Sequence, residues 1–456
     1  MKKRILCAVL ASLICVMAFA NLTVSAGTYG DLTYTVTAGK VTITDCNETA
    51  AGEIVIPETI DGYPVTTIGA EAFDRCYGIG SIIIPSSVTS IGMSAFNQCY
   101  GLRTITIPDS VTSLGKYAFS YCTGLTSVTI SNSITTIEYG LFDQCTGLAS
   151  ITIPDGVTTI RSYAFRECTG LKSITIPDSV TTIEDTAFSN CTGLTSVTIP
   201  GSITCLENSA FSYCTGLKSV IISHGVISIQ GSAFEGCTGL TSVTIPDSVT
   251  TIGYGAFNGC TGLKSITIPD SVTTIGDSAF YGCTGLKSIT IPGSITKIGD
   301  YAFGECEHLQ SVTIPNSVTS IGAGAFTYCI NLESVTIPDS ITTIYDWTFE
   351  GCENLVSVTF PDSVLYIKWC AFSECNNLSD VYYSGTEADW EDVTIDENNE
   401  CLTSASIYFG ATEEPPVTPD DPTRVPGDIN GDGEVNVRDV ITLRRYIAGG
   451  YGVELK

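Results

Sequence analysis

Histidine is almost missing from this chain of 456 residues, which holds only His224 and His308. No Ser, His and acid trio can be assembled around them, and neither accompanies the cysteines as a zinc site would require. Cations are scarce as well: 20 Lys and Arg stand against 48 Asp and Glu, a net charge of −28 that repels nucleic acid and anionic membranes. Long apolar runs are lacking with one exception, Ile5 to Ala20, so no other segment could cross a membrane. That run follows Lys2, Lys3 and Arg4 and precedes Val24-Ser25-Ala26, which reads as a secretory signal, 1–26, cleaved before Gly27. The mature protein is thus expected to be extracellular, secreted or held at a cell surface, with no membrane span after signal removal.

What the sequence has in abundance is repetition. Phe stands at 73, 96, 119, 142, 165, 188, 211, 234, 257, 280, 303, 326, 349 and 372, always 23 residues apart, and a Cys follows each three residues later. A fixed period of this size marks a solenoid whose units bury their apolar faces only on one another. In the copy from Leu263 to Gly285, LKSITIPDSVTTIGDSAFYGCTG, positions are counted from Leu263 as position 1. Ile266 and Ile268 alternate with Thr267 as in a strand, which Pro269 ends because it has no amide hydrogen for a ladder. Asp270 and Ser271 make a turn, Val272 and Ile275 belong to a second extended piece, and Gly276 permits the next corner. Ala279, Phe280 and Cys283 are spaced as on one short helical turn. The fold class is therefore a β-rich repeat solenoid of 23-residue coils, rising ~4.8 Å per coil if successive strands pair in parallel.

Twenty cysteines in a secreted chain ordinarily signal disulfides. Here Cys7 and Cys15 leave with the signal, while fourteen stand in the column at position 21, where stacked side chains point the same way. They are expected to be small buried hydrophobes. At the N-terminal end, Tyr34 to Asp45 reads as a hairpin within a β cap, 27–53, covering the solenoid of 54–377. Residues 378–410 break the pattern with Trp390 and many acids and are read as a C-terminal cap. Residues 411–426, ATEEPPVTPDDPTRVP, are a Pro-rich acidic linker.

The units carrying IP, IG, AF and C, the opening IPETIDGYPVTTIGAEAF (56–73) and the closing VYYSGTEADW (381–390) resemble the BspA-like leucine-rich repeat family over about 31–410. The resemblance implies a bacterial secreted or surface-exposed solenoid with a role in adhesion. Departures are small: Ser131 and Ser223 replace the Pro, and Glu307-His308 replaces Thr-Gly.

The last stretch carries different chemistry. Asp428, Asn430, Asp432, Asn436 and Asp439 occupy positions 1, 3, 5, 9 and 12 of a calcium loop, Glu434 offers its carbonyl from position 7, and Gly433 permits the sharp turn. Val440, Leu443 and Ile447 form the apolar stripe of a helix behind the loop, so a small calcium-binding loop-helix tail is expected, with calcium its cofactor. The loop followed by VITLRRYIAGG resembles the first half of a type I dockerin, here a truncated module over 427–456 with no second loop before Lys456. That resemblance implies docking on a cohesin module of a scaffold protein, as in cellulosomes, with Val437, Arg438, Arg444 and Arg445 facing the cohesin.

No catalytic constellation emerges from the residues. The Asp column at position 8, for instance Asp247 and Asp270, belongs to a repeated turn after Pro. Candidate surfaces are the Ser and Thr ladders at positions 3 and 5, with Lys172, Lys218, Lys264 and Lys287 at position 2. Tyr is frequent at positions 16 and 20, and Tyr345, Trp347, Tyr366 and Trp369 cluster on two adjacent coils. A binding or adhesion protein carried on a cohesin-bearing scaffold fits best. The alternative is a noncatalytic glycan-binding component of a polysaccharide-degrading complex, and a glycoside hydrolase rests only on the usual company of dockerins. The ligand would be an extracellular protein or polysaccharide. Asp428→Ala should abolish calcium binding by the tail in titration calorimetry, and retained binding would remove this ligand set.

Overall fold

The computed structural model describes residues 25–410. It is a solenoid in which most coils contribute one short strand around positions 3 to 5 and a second at positions 12 and 13, paired in parallel with neighbouring coils; the first-strand ladder is interrupted at residues 173–175 and 265–267, where no strand forms. The register follows the period without a slip: Ser196 pairs with Ser219 and Ser219 with Ser242, while Thr251 pairs with Thr274 on the second sheet. Between the strands, Val272 N–H donates to Pro269 C=O at 3.0 Å, closing the Pro-Asp-Ser-Val turn. Ser271 Oγ in that turn donates to Val249 C=O of the preceding coil at 2.7 Å, and the same bond recurs from Ser110 to Ser363.

The core is one continuous apolar column. Consecutive Phe rings stack with centroids 4.9 to 5.9 Å apart and planes 1° to 19° from parallel. Every ring from Phe73 to Phe372 is fully buried. Each stacked pair adds about 0.5–1.5 kcal/mol to what burial alone provides.

The helical turn expected at positions 17 to 21 is not there. From Gly276 to Leu286 the chain runs through successive turns, with Ser278 at φ 55° and Gly282 at φ 66°. These left-handed residues break the α geometry, and the reason lies in where the amides go. Ser278, Phe280 and Gly282 donate to the carbonyls of Asp300, Ala302 and Gly304 on the following coil at 2.7 to 2.8 Å. Ala279, Tyr281 and Cys283 donate within their own coil. A helix would keep all six bonds to itself and leave the coils unjoined along this side. Among the described residues the helices are α1 (Glu387–Glu391) and α2 (Glu400–Thr403), both in the C-terminal segment.

Among the described residues the cysteines are unpaired and, in the column, buried. They do more than fill space, since Cys283 Sγ donates to Phe257 C=O at 3.2 Å and the bond repeats coil after coil at 3.0 to 3.3 Å. Burial pushes the Cys283 thiol up to about 12, so it stays a protonated donor at neutral pH.

The two ends are closed by different means. At the N-terminal end β1 (Ser25–Tyr29), β2 (Leu32–Thr37) and β3 (Lys40–Cys46) form an antiparallel meander, one strand more than the expected hairpin. Ser25 and Ala26 lie within β1, on the far side of the expected cleavage point. The free edge of β3 pairs in parallel with Tyr63–Ile68, and its Ile43 carbonyl accepts Gly69 N–H at 2.7 Å. The added residues of the first coil form a small hairpin about Asp61 and Gly62, both left-handed, as a two-residue turn between twisted strands demands.

At the other end strand stacking runs on after the sequence pattern has dissolved: Asp380–Tyr383 pairs with Ser357–Phe360 and then with Ser406–Phe409. Trp390 on α1 packs on Phe360 and Tyr383. Asn399, almost wholly buried, takes the part of the missing coil. Its Oδ1 accepts Phe372 N–H at 2.9 Å, and its Nδ2 donates to the carbonyls of Lys368 and Asp396, each at 2.9 Å. Asn399→Ala should therefore cost about 1–3 kcal/mol, for the buried groups it leaves unpaired. Hydrogen exchange at the Phe372 amide should report the loss, and undiminished protection there would refute the assignment.

Candidate functional site

The corner of each coil, positions 12 to 16, joins the second strand to the run of turns, and it is where the four aromatics singled out in the sequence stand. Trp347 occupies position 16, where the alternation of forward hydrogen bonds imposes φ 59°. Its N–H donates to Trp369 C=O at 3.2 Å, and Trp369 N–H donates in turn to Asp346 Oδ1 at 3.0 Å. The two indoles meet edge to face, 5.5 Å apart and 76° between planes. Tyr345, Tyr366 and Trp369 remain 42 to 44% exposed, and Leu365 beside Tyr366 is 51% exposed. Lys368 Nζ lies 4.9 Å from the Tyr366 ring and 3.8 Å from Asp396 Oδ2. The Trp pair is thus assembled across two coils, whereas no ring contact joins Tyr345 to it among the described residues. The coil of Tyr366 and Trp369 also pairs with the C-terminal segment through Thr394–Ile395, beside which Trp390 packs on Phe360 and Tyr383.

A second aromatic cluster was only half visible in the sequence. Tyr117 and Tyr163 at position 16 flank Tyr139 at position 15, with edge contacts of 5.3 and 5.2 Å, and Arg166 lies 4.9 Å from the Tyr163 ring. Burial, with a hydrogen bond to Tyr117 next, pushes the Tyr139 phenol up to about 12. Arg166 also grips Asp143 on the preceding coil through two bonds of 2.8 and 3.0 Å.

The remaining tyrosines of positions 16 and 20 are less free than exposure suggests. Tyr213 lies along the solenoid, its ring over Gly236 of the following coil and its hydroxyl donating to Glu235 Oε1 at 2.9 Å. A Cβ on Gly236 would fall 2.5 Å from that ring, and Gly140, Gly324 and Gly351 are covered in the same way by Tyr117, Tyr301 and Tyr328. The sequence signal was present as a Tyr followed by a Gly one period later.

Catalytic chemistry finds no such assembly. His224 and His308 stand on separate coils, with His308 Nδ1 2.6 Å from Thr284 C=O. Among the described residues no three His, Cys, Asp or Glu side chains converge as a metal site would need. Nor is any helix among them long and apolar enough to cross a membrane. Residues 1–24 of the signal reading lie outside the described residues. So do the linker, the calcium ligands Asp428, Asn430, Asp432, Glu434, Asn436 and Asp439, and the cohesin-facing Val437, Arg438, Arg444 and Arg445.

Comparison with known proteins gives a consistent result. The BspA type leucine-rich repeat region family matches residues 47–171, 139–264 and 250–379. A leucine-rich repeat protein of Bacteroides ovatus has a solved structure with 28% identity and a TM-score of 0.65, over 84% of this chain and 99% of its own. A leucine-rich cell surface protein of Faecalibacterium prausnitzii shows 31% identity and a TM-score of 0.50, over 82% of this chain and 98% of its own. No curated protein matches.

Gly236→Ala should destabilise the solenoid by about 1–2 kcal/mol through its left-handed backbone, with more from the displaced Tyr213 ring. In a double-mutant cycle with Tyr213→Ala only the backbone part should remain, and strict additivity of the two would sink the ring contact.

Proposed function

Because the chain belongs to the BspA type leucine-rich repeat family, we propose that it is a noncatalytic adhesion protein working outside a bacterial cell and binding an extracellular protein at the aromatic corner of residues 345–369. The exposed Trp and Tyr side chains there carry this reading. Aromatic residues are the commonest anchors of protein interfaces, and solvated surfaces seldom keep several together without a use. Exposed Leu365 extends the apolar patch, and the Lys368–Asp396 pair supplies a charged rim. An extracellular position is supported by the signal-like opening and by the cell-surface description of the Faecalibacterium relative.

A second reading, a noncatalytic glycan-binding component of a polysaccharide-degrading complex, is favoured by one detail. Trp369 and Tyr366 are exposed, and aromatic side chains of this kind are surfaces on which sugars stack. Under either reading the dockerin-like tail would hold the solenoid on a cohesin module in a calcium-dependent way, supported by the spacing of its oxygen donors.

Trp369→Ala should weaken capture of the protein ligand at least tenfold, whereas the array should lose only the edge contact with Trp347, about 0.5–1.5 kcal/mol. Screening extracellular matrix proteins beside a glycan array identifies the ligand class. Wild-type affinity in the variant toward every ligand found would remove the aromatic corner from the function.

A further inference from the structure

The first-strand face, on a different side of the coil from the aromatic corner, carries a feature that the adhesion reading does not use. Residues 25–410 contain twelve Lys and Arg, and five of them, Arg103, Lys172, Lys218, Lys264 and Lys287, stand at position 2. Arg75, Arg161, Arg166 and Lys368 are engaged in ion pairs. Among the described residues the five of the column have side chains with no ion pair, hydrogen bond or ring contact, and all five are exposed. From residue 103 to 290, positions 2, 3 and 5 contain no acid at all. Position 3 is Ser or Thr throughout this span, and position 5 is Thr except for Ile221. In a chain with 48 acids, such a face is a concentration of unneutralised positive charge among hydroxyl groups.

The column is also ordered. Lys172, Lys218 and Lys264 follow one another at two-coil intervals, ~10 Å each, and Arg103 to Lys287 spans eight coils, ~38 Å. Lys172 and Lys218 reach along the solenoid axis, their Nζ atoms beside Gly193 and Gly239 at the far ends of their own coils. A row of cations at whole-coil intervals fits a linear polyanion whose charges recur regularly, rather than a small anion.

We propose that this face binds an acidic polysaccharide laid along the solenoid axis, its carboxylates or sulfates on the position 2 cations and its hydroxyls on the Ser and Thr ladders. Single-stranded nucleic acid fits less well, because its binding sites combine cations with aromatic stacking platforms. Positions 2, 3 and 5 hold no aromatic residue between 103 and 290. The overall negative charge does not oppose this, since salt screens it beyond ~8 Å at physiological strength and the acids gather elsewhere. Sixteen of them lie in 380–439.

The test uses the full chain with polygalacturonate, dextran as neutral control and single-stranded DNA of matched length. Lys172→Thr, Lys218→Thr, Lys264→Thr and Lys287→Thr are combined, a safe replacement because Thr126, Thr195 and Thr241 hold the same position in neighbouring coils. Polygalacturonate should bind, more weakly as salt rises, and the quadruple variant should lose about tenfold or more in affinity, a factor of a few for each exposed ion pair. Dextran should not bind, and Trp369→Ala should leave polygalacturonate binding unchanged, which keeps this face distinct from the aromatic corner. Absence of binding by the wild type, an unaffected quadruple variant, or DNA binding as tight as polygalacturonate would each overturn the proposal.

Discussion

Each coil leaves alternate amides in its run of turns pointing at the coil that follows, and most of the structure depends on that choice. A peptide group buried without a partner is costly, so a coil with forward-directed N–H groups cannot stand alone. The left-handed residues at positions 16 and 20 exist because the backbone must turn each donor outward. The thiol column answers in the opposite direction, from each Cys back to the Phe carbonyl of the preceding coil. Phe stacking supplies apolar driving force, but the directed hydrogen bonds fix the register in which the rings meet.

The binding surfaces inherit this geometry. Trp347 reaches its partner because position 16 is left-handed and sets its backbone against that of Trp369 one coil further on. The lysine column follows from the unbroken 23-residue period, which returns position 2 to the same side of every coil. Surface chemistry can then change at any one position without disturbing the interior, since positions 2, 3, 5, 15 and 16 contribute little to the core. Tyr139 and Gly231 share position 15 with Asp277 and Trp369 on the same scaffold.

Much of the fold was legible because periodicity reports burial directly. The Phe, Cys, Ile and Leu columns, the strand at positions 3 to 5 and the turn after Pro all followed from which residues repeat. The run of turns did not, because Ala279, Phe280 and Cys283 have the spacing of a helix whether their amides bond inward or to a neighbour. Only left-handed φ values, adopted here by Ser, Tyr, Gln and Glu as well as Gly, distinguish the two, and these residue types carry no clear signal for them. Asn399 was equally hidden. One of two adjacent Asn in an acidic stretch looks like a loop residue until the Phe372 amide and the Lys368 and Asp396 carbonyls are seen to converge on it. The aromatic corner was legible as a list of residues, though the contact between its two indoles required the register.

The directed amides give the solenoid a sense, like the grain of wood, so that its two faces of growth are chemically unlike. A terminal unit cannot be exchanged between them, which accounts for a β3 edge offering carbonyls at one end and Asn399 offering its carboxamide at the other. The interior is different. Any coil presents to its successor what its predecessor presented to it, so one whole period could be excised or duplicated there with every bond restored. Lengthening by other than a whole period would put donors opposite donors. The reach of the surface is therefore adjustable only in whole steps, and a lineage can retune the span between two binding groups by counting coils rather than by redesigning any of them.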